Sequence, residues 1–556
     1  MEKPWLKSYP PGVPADVDLT TCPTLVHLME DAFARYAERP AADFLGKLIS
    51  YAEIDRQSRA FGAWLQARGL ARGARVAIMM PNVPQYFVAL CGVLRAGFVV
   101  VNVNPMYTAR ELEHQLVDSG AEAIIVLDMF ANTVSQVVNR GAVKHVIVAS
   151  VGDMLGGLKG FITNFMLRTV KKKVPPFSFD HYTGFNTVVR EGSSLKLERP
   201  QLKPDDLAFL QYTGGTTGVS KGAMLVHENV VAGALIGEAW LAPALERGKP
   251  IEQYNVVNAL PLYHIFSLIA CFWLGMRKGA LNILIANARD FDALAKACAP
   301  YKINVFPAVS TLFNGLANNE NFRKLDFSEL RVSNGGGMAV QRAVAERWLA
   351  LTKCPIVEGY GLTETTSGST CNPVNSDAYN GTVGLPMPGV DIDIRDDAGK
   401  TVPLGEPGEV CIRGPQVMRG YWQRPDETAK VMFADGFFRS GDIGTLDAQG
   451  YLKIVDRKKD MIIVSGFNVY PNEVEDVIAM HPGVMECAAV GVPDESSGEA
   501  VKLVVVKKDP ALTKEAVMDY ARENLTGYKR PRIIEFRDAL PKTNVGKVLR
   551  RALRDG

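Results

Sequence analysis

Short apolar segments alternate with segments of helical apolar spacing along the first part of this chain. Residues 75–80 are apolar and strand-like, residues 85–96 have the apolar spacing of a helix, and residues 98–104 are rich in β-branched side chains. A strand, a helix and a second strand in this order predict a βαβ unit with parallel strands. Parallel sheets are covered by helices on both faces. The alternation therefore predicts an α/β fold with a mostly parallel sheet.

The pattern continues and then changes twice. Further strands are predicted at residues 123–127, 146–149, 256–261, 281–285, 304–307 and 330–334. From about residue 390 the spacing shortens and glycine and proline turns multiply, which predicts a β-rich subdomain at about 390–455. After Lys459 the pattern is that of a small α+β domain. We therefore expect a large N-terminal domain at 1–456, a hinge at 457–461 and a small C-terminal domain at 462–556.

Composition excludes several classes of protein. Among 556 residues, 62 basic and 60 acidic side chains leave a net charge of +2, which gives no reason to expect nucleic-acid binding. Eight cysteines without a Cys-x-x-Cys pair and seven histidines without ligand spacing indicate neither a disulfide framework nor a zinc site. The first residues lack the apolar core of a secretory signal. We expect a cytoplasmic protein.

One uncharged stretch, residues 256–276, is compatible by charge alone with a membrane span. Asn258, Pro261 and His264 argue against a span, because proline separates a short strand from a helix and the polar side chains need partners. We interpret the stretch as buried core beside the functional site.

A glycine- and threonine-rich stretch is placed between an apolar strand at 207–211 and a helical segment after His227. Glycines allow backbone N–H groups to approach oxyanions, hydroxyls add donors, and a lysine supplies a positive charge. The spacing is not that of a Walker A loop, because the lysine follows Ser220 and precedes a glycine. We predict a triphosphate site, against the alternative of a flexible turn. Its residues are Tyr212, Thr213, Gly214, Gly215, Thr216, Thr217, Gly218, Lys221 and Gly222.

Further motifs add nucleotide chemistry. Glu358, Gly359, Tyr360, Gly361, Thr363 and Glu364 form one short stretch. Its tyrosine can stack on adenine, and Glu364 can bind Mg²⁺. Asp442 follows a glycine turn, where a carboxylate can bind both ribose hydroxyls. Lys547 follows a glycine near the C-terminus.

Taken together, these motifs resemble the adenylate-forming superfamily of acyl-CoA synthetases, luciferases and peptide-synthetase adenylation domains, from about residue 50 to the C-terminus. Within it, residues 102–105, 261–266 and 464–473 are similar to those of bacterial long-chain fatty-acid–CoA ligases. One departure is Arg439 with Ser440, where that family usually has histidine and threonine. The resemblance implies that ATP and a fatty acid give acyl-AMP and pyrophosphate, and that CoA then gives fatty acyl-CoA and AMP.

The resemblance also implies roles for single residues. Lys547 would stabilise adenylate formation, Lys221 would hold phosphates, and Glu364 with Thr217 would bind Mg²⁺. Asp442 and Arg457 would bind the ribose, and Gly335, Gly336 and Gly337 would let adenine approach the backbone. The ATP/AMP site would also contain Glu358, Gly359, Tyr360, Gly361 and Thr363. The small domain would rotate about Lys459 and present Ser465, Gly466 and Phe467 to CoA. His264 is expected to gate or position the acyl carboxylate. Val309 and Phe313 lie in an apolar run that fits an acyl tunnel and fits protein core equally well.

Two other functions stay open at this point. The chain can be a fatty acyl-AMP ligase that passes its adenylate to a carrier protein, or a lipid-binding relative without catalysis. We expect ATP, Mg²⁺, CoA and a fatty acid as ligands, and leave a homodimer open.

Residues 158–176 combine an apolar helical face with basic flanks. Leu158, Phe161, Ile162 and Phe165 share one face, while Lys159, Arg168 and three lysines at 171–173 lie around it. This arrangement is typical of a helix that lies on anionic lipid, here the inner face of the cytoplasmic membrane. The alternative is an ordinary helix packed on the protein, with a solvated basic end.

Overall fold

The computed structural model describes residues 3–213, 220–457, 459–465, 467–494, 496–543 and 546–554. The first part of the chain forms α1 (Leu25–Tyr36), β1 (Pro40–Phe44), β2 (Lys47–Ser50), α2 (Tyr51–Ala67), β3 (Arg75–Met79), α3 (Pro84–Arg95), β4 (Val99–Asn102), α4 (Ala109–Ser119), β5 (Ala123–Leu127), α5 (Ala131–Ser135), β6 (His145–Ala149), α6 (Gly157–Phe165), β7 (Thr183–Gly184), α7 (Phe185–Gly192), β8 (Leu207–Thr213), β9 (Lys221–Val226) and α8 (His227–Leu245).

Seven of these strands form one sheet in the order β7-β6-β5-β3-β4-β8-β9, parallel except for the last pair. The βαβ unit predicted from residues 75–104 is confirmed as β3, α3 and β4. At the start of α4, Thr108 and Glu111 form a capping box, which satisfies two backbone donors at the helix end. Every residue of β5 is buried, as expected for a strand covered on both faces.

The middle of the chain forms a second parallel system. Its elements are β10 (Asn255–Asn258), α9 (Ile265–Ser267), α10 (Leu274–Lys278), β11 (Leu281–Leu284), α11 (Phe291–Cys298), β12 (Val305–Ala308), α12 (Ser310–Asn318), β13 (Val332–Gly335), α13 (Arg342–Thr352), β14 (Ile356–Tyr360), β15 (Thr370–Cys371) and β16 (Leu385–Pro386). With β1 and β2 these strands form a nine-stranded sheet in the order β16-β15-β14-β13-β12-β10-β11-β1-β2. Its strands from β14 to β1 are parallel.

The last part of the chain is β-rich and then mixed. It forms β17 (Asp391–Arg395), β18 (Gly408–Arg413), α14 (Pro425–Val431), β19 (Phe438–Leu446), β20 (Leu452–Arg457), β21 (Ile462–Val464), β22 (Phe467–Val469), α15 (Pro471–Ala479), β23 (Val484–Asp494), β24 (Gly498–Lys507), α16 (Lys514–Asn524), β25 (Ile533–Phe536) and α17 (Arg551–Arg554). Strands β17 to β20 form an antiparallel sheet, and β21 to β25 form the sheet of a separate small α+β domain. The predicted α/β fold class is confirmed.

The phosphate stretch differs from its expected form. Lys221 and Gly222, expected in a short loop, lie in β9 and pair antiparallel with Thr213 and Tyr212 of β8. We call these two paired strands, β8 and β9, the phosphate hairpin. The alternation of β9 explains the difference, because Ala223 and Leu225 are buried on one face. The pairing with β8 thus fixes the position from which the Lys221 side chain projects. Residues Gly214, Gly215, Thr216, Thr217 and Gly218 lie outside the described residues.

The uncharged stretch 256–276 lies inside the protein. It contains β10, a loop with His264, α9 and a π-helical turn at Leu268–Trp273 that leads into α10. Among the residues that the structure describes, no helix has the length and apolar character needed to cross a bilayer.

Buried polar side chains of the first sheet hold the loop before His264. Asn82 donates to the carbonyl of Leu260 and accepts the Leu262 amide, each at 2.8 Å. Gln211, next to the phosphate hairpin, donates to the Tyr263 carbonyl at 2.6 Å. Because buried polar groups need such partners, these bonds fix the two parallel systems against each other.

Candidate active site

A cavity opens where parallel strands of the nine-stranded sheet end. His264 follows β10, Gly336 and Gly337 follow β13, and Tyr360 ends β14; all four line the cavity. The carboxyl edge of a parallel sheet is where α/β proteins bind ligands. The opposite wall comes from α8 and from the π-helical turn.

Lys547 of the small domain lines the same cavity. It ends a tight turn in which its amide donates to the Thr543 hydroxyl at 3.1 Å. The turn contacts the large domain, because the Thr311 hydroxyl donates to the Gly546 carbonyl at 3.4 Å. The Lys547 Cε atom lies 3.5 Å from the position that a Cβ on Gly337 would occupy. A Cβ there would be in ordinary contact with the lysine, and the left-handed φ of +78° is what favours glycine at 337.

The charge of Lys547 is opposed by burial. Its pKa is lowered to about 8, first by burial and then by the charge of Arg457, while Asp442 and Glu364 act in the opposite direction. The structure thus brings four of the predicted site residues within electrostatic reach of one another.

Asp442 lies between Arg457, which the resemblance had placed with it at the ribose, and Tyr360, which was expected to stack on adenine. Tyr360 donates its hydroxyl to one carboxylate oxygen at 2.7 Å, and Arg457 contacts the other at 3.2 Å. Burial and Asp442 raise the pKa of Tyr360, so it stays a donor. Asp442 itself is almost fully buried.

Arg439, which differs from the residue usual in the family at this position, stabilises the turn before Asp442. Arg439 contacts the carboxylate of buried Glu409 through two nitrogens at 2.7 and 3.2 Å. The other Glu409 oxygen accepts the Gly441 amide at 3.2 Å, and Gly441 has φ +73°. The arginine therefore supports the glycine turn through Glu409.

Tyr421 contacts both Glu364 and Lys221, the first through its hydroxyl and the second through its ring. The Tyr421 hydroxyl donates to Glu364 at 2.8 Å, and the Lys221 ammonium lies 4.7 Å from the centre of the same ring. Lys221 also pairs with Glu427 at 2.8 Å. Tyr421 and Glu427 were absent from the sequence predictions, because 57 residues separate Tyr421 from Glu364 and no motif marks it.

Tyr212 anchors the phosphate hairpin to α4. Its hydroxyl donates to Asp118 at 2.7 Å, and Arg424 donates to the other oxygen of Asp118 at 2.8 Å. The ring of His114 donates to the Ser220 carbonyl at 2.8 Å. These bonds fix the position of the hairpin, and Thr213 is the last residue of β8.

Several predicted adenine-site glycines have steric reasons to be glycine. A Cβ on Gly361 would lie 1.4 Å from the Ser367 carbonyl oxygen, and one on Gly336 would lie 3.1 Å from the Phe266 ring. Gly335 packs against Ile356 inside the core. Gly359 and Thr363 line the cavity.

Glu358 lies one step further from the cavity. Its carboxylate is buried and accepts the Val340 amide at 2.9 Å. Burial raises its pKa to about 8, so the carboxyl is largely protonated at neutral pH.

His264 is a neutral wall of the cavity. Its Nδ1 accepts the Phe266 amide at 3.3 Å and caps the helix that follows. Burial and the charge of Lys547 lower its pKa to about 3. With Nδ1 accepting, Nε2 carries the proton, which suits a donor that positions an oxygen rather than a general base.

The apolar part of the cavity differs from the predicted acyl tunnel. The ring centroids of Phe313 and Trp348 lie 4.6 Å apart in a core cluster that also contains Val309. Neither Phe313 nor Val309 is among the cavity-lining residues. Val309 instead lies beside Gly337 and Gly546. Val309 and Phe313 thus belong to a core cluster, whereas Val305 and Pro307 of the same run line the cavity. Further apolar lining comes from Gly233, Gly237, Trp240, Leu241, Ile269 and Ala270.

Of the predicted CoA residues, the two that the structure describes, Ser465 and Phe467, do not line this cavity. Phe467 is exposed on β22 and stacks on Tyr528 at 4.8 Å, and Ser465 has a left-handed φ of +51°. Lys459 is exposed between β20 and β21. Gly466 lies outside the described residues.

Comparisons with known proteins agree with this arrangement. The family described as AMP-binding enzyme matches residues 29–422, and the AMP-binding enzyme C-terminal domain matches residues 473–547. The chain is 51% identical to a long-chain-fatty-acid–CoA ligase of Escherichia coli O6:H1, covering 100% of this chain and 98% of that protein. It is 36% identical to the ligase of that name from Bacillus subtilis, over 99% and 98%.

Solved structures show the same fold. The anthranilate CoA ligase AuaEII in complex with anthranoyl-AMP superposes with a TM-score of 0.84 at 25% identity, covering 97% of this chain and 98% of that chain. ATP-bound MatB from Rhodopseudomonas palustris gives 0.79 at 28% identity, covering 95% and 98%.

Proposed function

Because the chain belongs to the AMP-binding enzyme family, and within it to the long-chain-fatty-acid–CoA ligases, we propose that it activates fatty acids in two steps. A fatty carboxylate oxygen first attacks the α-phosphorus of ATP, giving acyl-AMP and releasing pyrophosphate. The CoA thiol then attacks the acyl carbon, forming the C–S bond as the bond to AMP breaks. The product would supply fatty-acid degradation or lipid metabolism.

The position of Lys547 is the observation that carries this proposal. A lysine of the small domain lies in a cavity of the large domain, beside glycines that leave room for a ligand. A binding protein for apolar ligands alone would gain nothing from a buried ammonium, because burying a charge is costly.

The first step brings two anions together, the carboxylate and the α-phosphate. The carboxylate is already ionised near neutral pH, so no general base is needed. Lys547 would neutralise both oxygens as they approach, and His264 would donate to the acyl carboxylate from its Nε2.

The triphosphate would lie beside Thr213, where β8 ends, and Lys221, where β9 begins. Lys221 would exchange Glu427 for the terminal phosphates, joined by Thr213, Gly222 and the hairpin residues at 214–218. Glu364 offers carboxylate oxygens of the kind that Mg²⁺ prefers, with Thr217 and phosphate oxygens as further donors. When bound, the ion would neutralise phosphate charge. Tyr421 would hold the Glu364 carboxylate in place.

The nucleoside would lie across the strand ends. Asp442 would accept the ribose hydroxyls, while Tyr360 and Arg457 hold its carboxylate. Adenine would lie along Gly336, Gly337 and Gly359, and Glu358 would support this wall through the Val340 amide.

The acyl chain would enter between α8 and the π-helical turn. Gly233 and Gly237 lie one turn apart on α8 and line the cavity. A Cβ on Gly237 would meet nothing within 4 Å. Glycine is unfavourable inside a helix by about 1 kcal/mol relative to alanine. The space that it leaves for the acyl chain is the reason we propose for glycine at this position.

For the second step, the small domain would turn about Lys459 and bring Ser465, Gly466 and Phe467 to the cavity. The left-handed Ser465 is consistent with a loop shaped for ligand approach. Glycine at 466 would leave a narrow passage for the pantetheine chain.

The direct test supplies purified protein with ATP, Mg²⁺ and fatty acids of six to eighteen carbons, with and without CoA. We expect AMP and thioester together, only with CoA, and highest with long chains. Adenylate without thioester would instead identify an acyl-AMP ligase. Absence of AMP would favour the lipid-binding relative without catalysis.

The pH dependence should report Lys547. Its pKa of about 8 means that the ammonium is present below pH 8 and lost above it. We expect kcat/KM for fatty-acid-dependent pyrophosphate exchange to fall above about pH 8. Lys547→Arg, charged to beyond pH 12, should be slower but lack this fall. The same fall in the variant would assign it to another group.

Gly237 should limit acyl length. Gly237→Leu fills the slot, so we expect activity with sixteen carbons to fall about tenfold or more relative to eight carbons. Ala239→Leu, on the same helix but outside the cavity lining, is the control for helix propensity and should keep the length profile. Equal loss at all lengths would contradict this path.

We further propose that α6 docks on anionic lipid. Its apolar face points outward, with Leu158 75% and Phe161 70% exposed. The other face packs on the protein, since Gly160 lies against the Gly152 carbonyl and Asn164 accepts the Gly152 amide at 2.7 Å. Arg168 pairs with Asp128 at 2.9 Å, so the lysines at 171–173, all exposed, would meet the lipid.

Flotation with phosphatidylglycerol vesicles tests this docking. Changing Lys171, Lys172 and Lys173 to Glu should abolish flotation at low salt, and neutral phosphatidylcholine should capture little protein. The same change at exposed Lys400, Lys508 and Lys514 is the charge-matched control. Unchanged flotation, or a homodimer that buries this face, would contradict the proposal.

A further inference from the structure

Arg550 is the centre of a charged cluster three residues after Lys547. Its guanidinium contacts the Glu475 carboxylate at 2.8 Å and donates to the Asn472 amide oxygen at 2.7 Å, both on α15. It also lies 3.8 Å from Asp460, which Arg554 contacts at 3.3 Å. All these partners follow Lys459 in the chain, so the cluster ties the segment that carries Lys547 to the body of the small domain.

A second tie fixes the same segment. Lys542 contacts both oxygens of Glu486 on β23 at 2.7 Å, and the residue pair 542 and 548 forms a β-bridge at the base of the turn. The turn is therefore held at both ends, and Lys547 moves as one unit with the small domain.

Asp456 joins this cluster from the other domain. It lies in β20, the last strand before Lys459, and is fully buried. One carboxylate oxygen accepts a hydrogen bond from the backbone N–H of Asn472 at 3.0 Å, and the other lies 4.0 Å from the Arg550 guanidinium. Asp456 thus caps the N-terminus of α15 from outside that domain, where the helix end favours a negative charge.

The position of Asp456 on the far side of Lys459 decides its role. A rotation at Lys459 moves α15 and Arg550 together, and leaves Asp456 with β20. The contacts of Arg550 with Glu475 and Asp460 would persist through such a rotation, whereas both contacts of Asp456 would separate.

We propose that Asp456 is a latch that holds the small domain in the arrangement with Lys547 in the cavity. This inference rests on the proposed two-step function and names a positioning residue for its first step. The latch favours adenylate formation by increasing the population with Lys547 in place, and it must open before CoA can react.

The test separates the two steps in one set of proteins. Step one is fatty-acid-dependent exchange of pyrophosphate into ATP, and step two is thioester formation from synthetic acyl-AMP and CoA. Asp456→Ala should lower kcat of step one about tenfold, because a charge-assisted hydrogen bond and an ion pair are lost. Step two should be unchanged or faster. Asp456→Asn, which keeps an acceptor for the Asn472 amide, should lose less of step one.

Controls distinguish the latch from other effects. Disturbance of neighbouring Arg457 would raise the KM for ATP, whereas loss of the latch leaves that KM within about twofold. Asp519→Ala removes an exposed ion pair of the small domain and should change neither step. Equal losses in both steps, or an unchanged first step, would overturn the latch alone. Absence of exchange in the unaltered protein would overturn the proposed function and the latch with it.

Discussion

A positive charge delivered by one domain into a cavity of another is the interaction on which the rest of this structure depends. Burial of an ammonium costs several kcal/mol unless negative groups offset it. Asp442 and Glu364 offset part of that cost, and burial still lowers the pKa of Lys547 to about 8. Because the buried ammonium is only partly neutralised, binding of a further negative charge would stabilise this site. Two anions that must approach each other to react are the ligands that such a site fits.

The fold supplies room for those ligands at the ends of parallel strands. Gly336 and Gly337 follow β13, and Gly361 follows β14, at positions where side chains would meet Phe266, Lys547 and the Ser367 carbonyl. The first sheet contributes through Gln211, which bonds the loop before His264 and stands next to the phosphate hairpin. A change in the hairpin strand would thus be felt at the acyl end of the cavity, because one side chain touches both.

Local patterns predicted much of this architecture. The βαβ unit and the small α+β domain followed from periodicity, and the pairing of Asp442 with Arg457 was implied by the family resemblance. Burial was harder to predict. The apolar run at 305–313 fitted a tunnel or a core, and in the structure Phe313 packs on Trp348 in the core while Val305 and Pro307 line the cavity. Lys221 was expected in a loop, but antiparallel pairing drew it into a strand. The α8 face and Tyr421 carry no motif, because their roles arise only from contacts made across the fold.

Lys547→Ala tests most directly whether the delivered charge acts in adenylate formation, when the two steps are measured separately. We expect pyrophosphate exchange to fall by about 10²–10³, the range typical of removing a charge-stabilising donor. Thioester formation from supplied acyl-AMP and CoA should stay within a few-fold of the unaltered protein, since the proposed rotation of the small domain would take Lys547 out of the cavity in that step. Equal losses in both steps would contradict the account, because they would make Lys547 a general structural support rather than the charge that forms the adenylate.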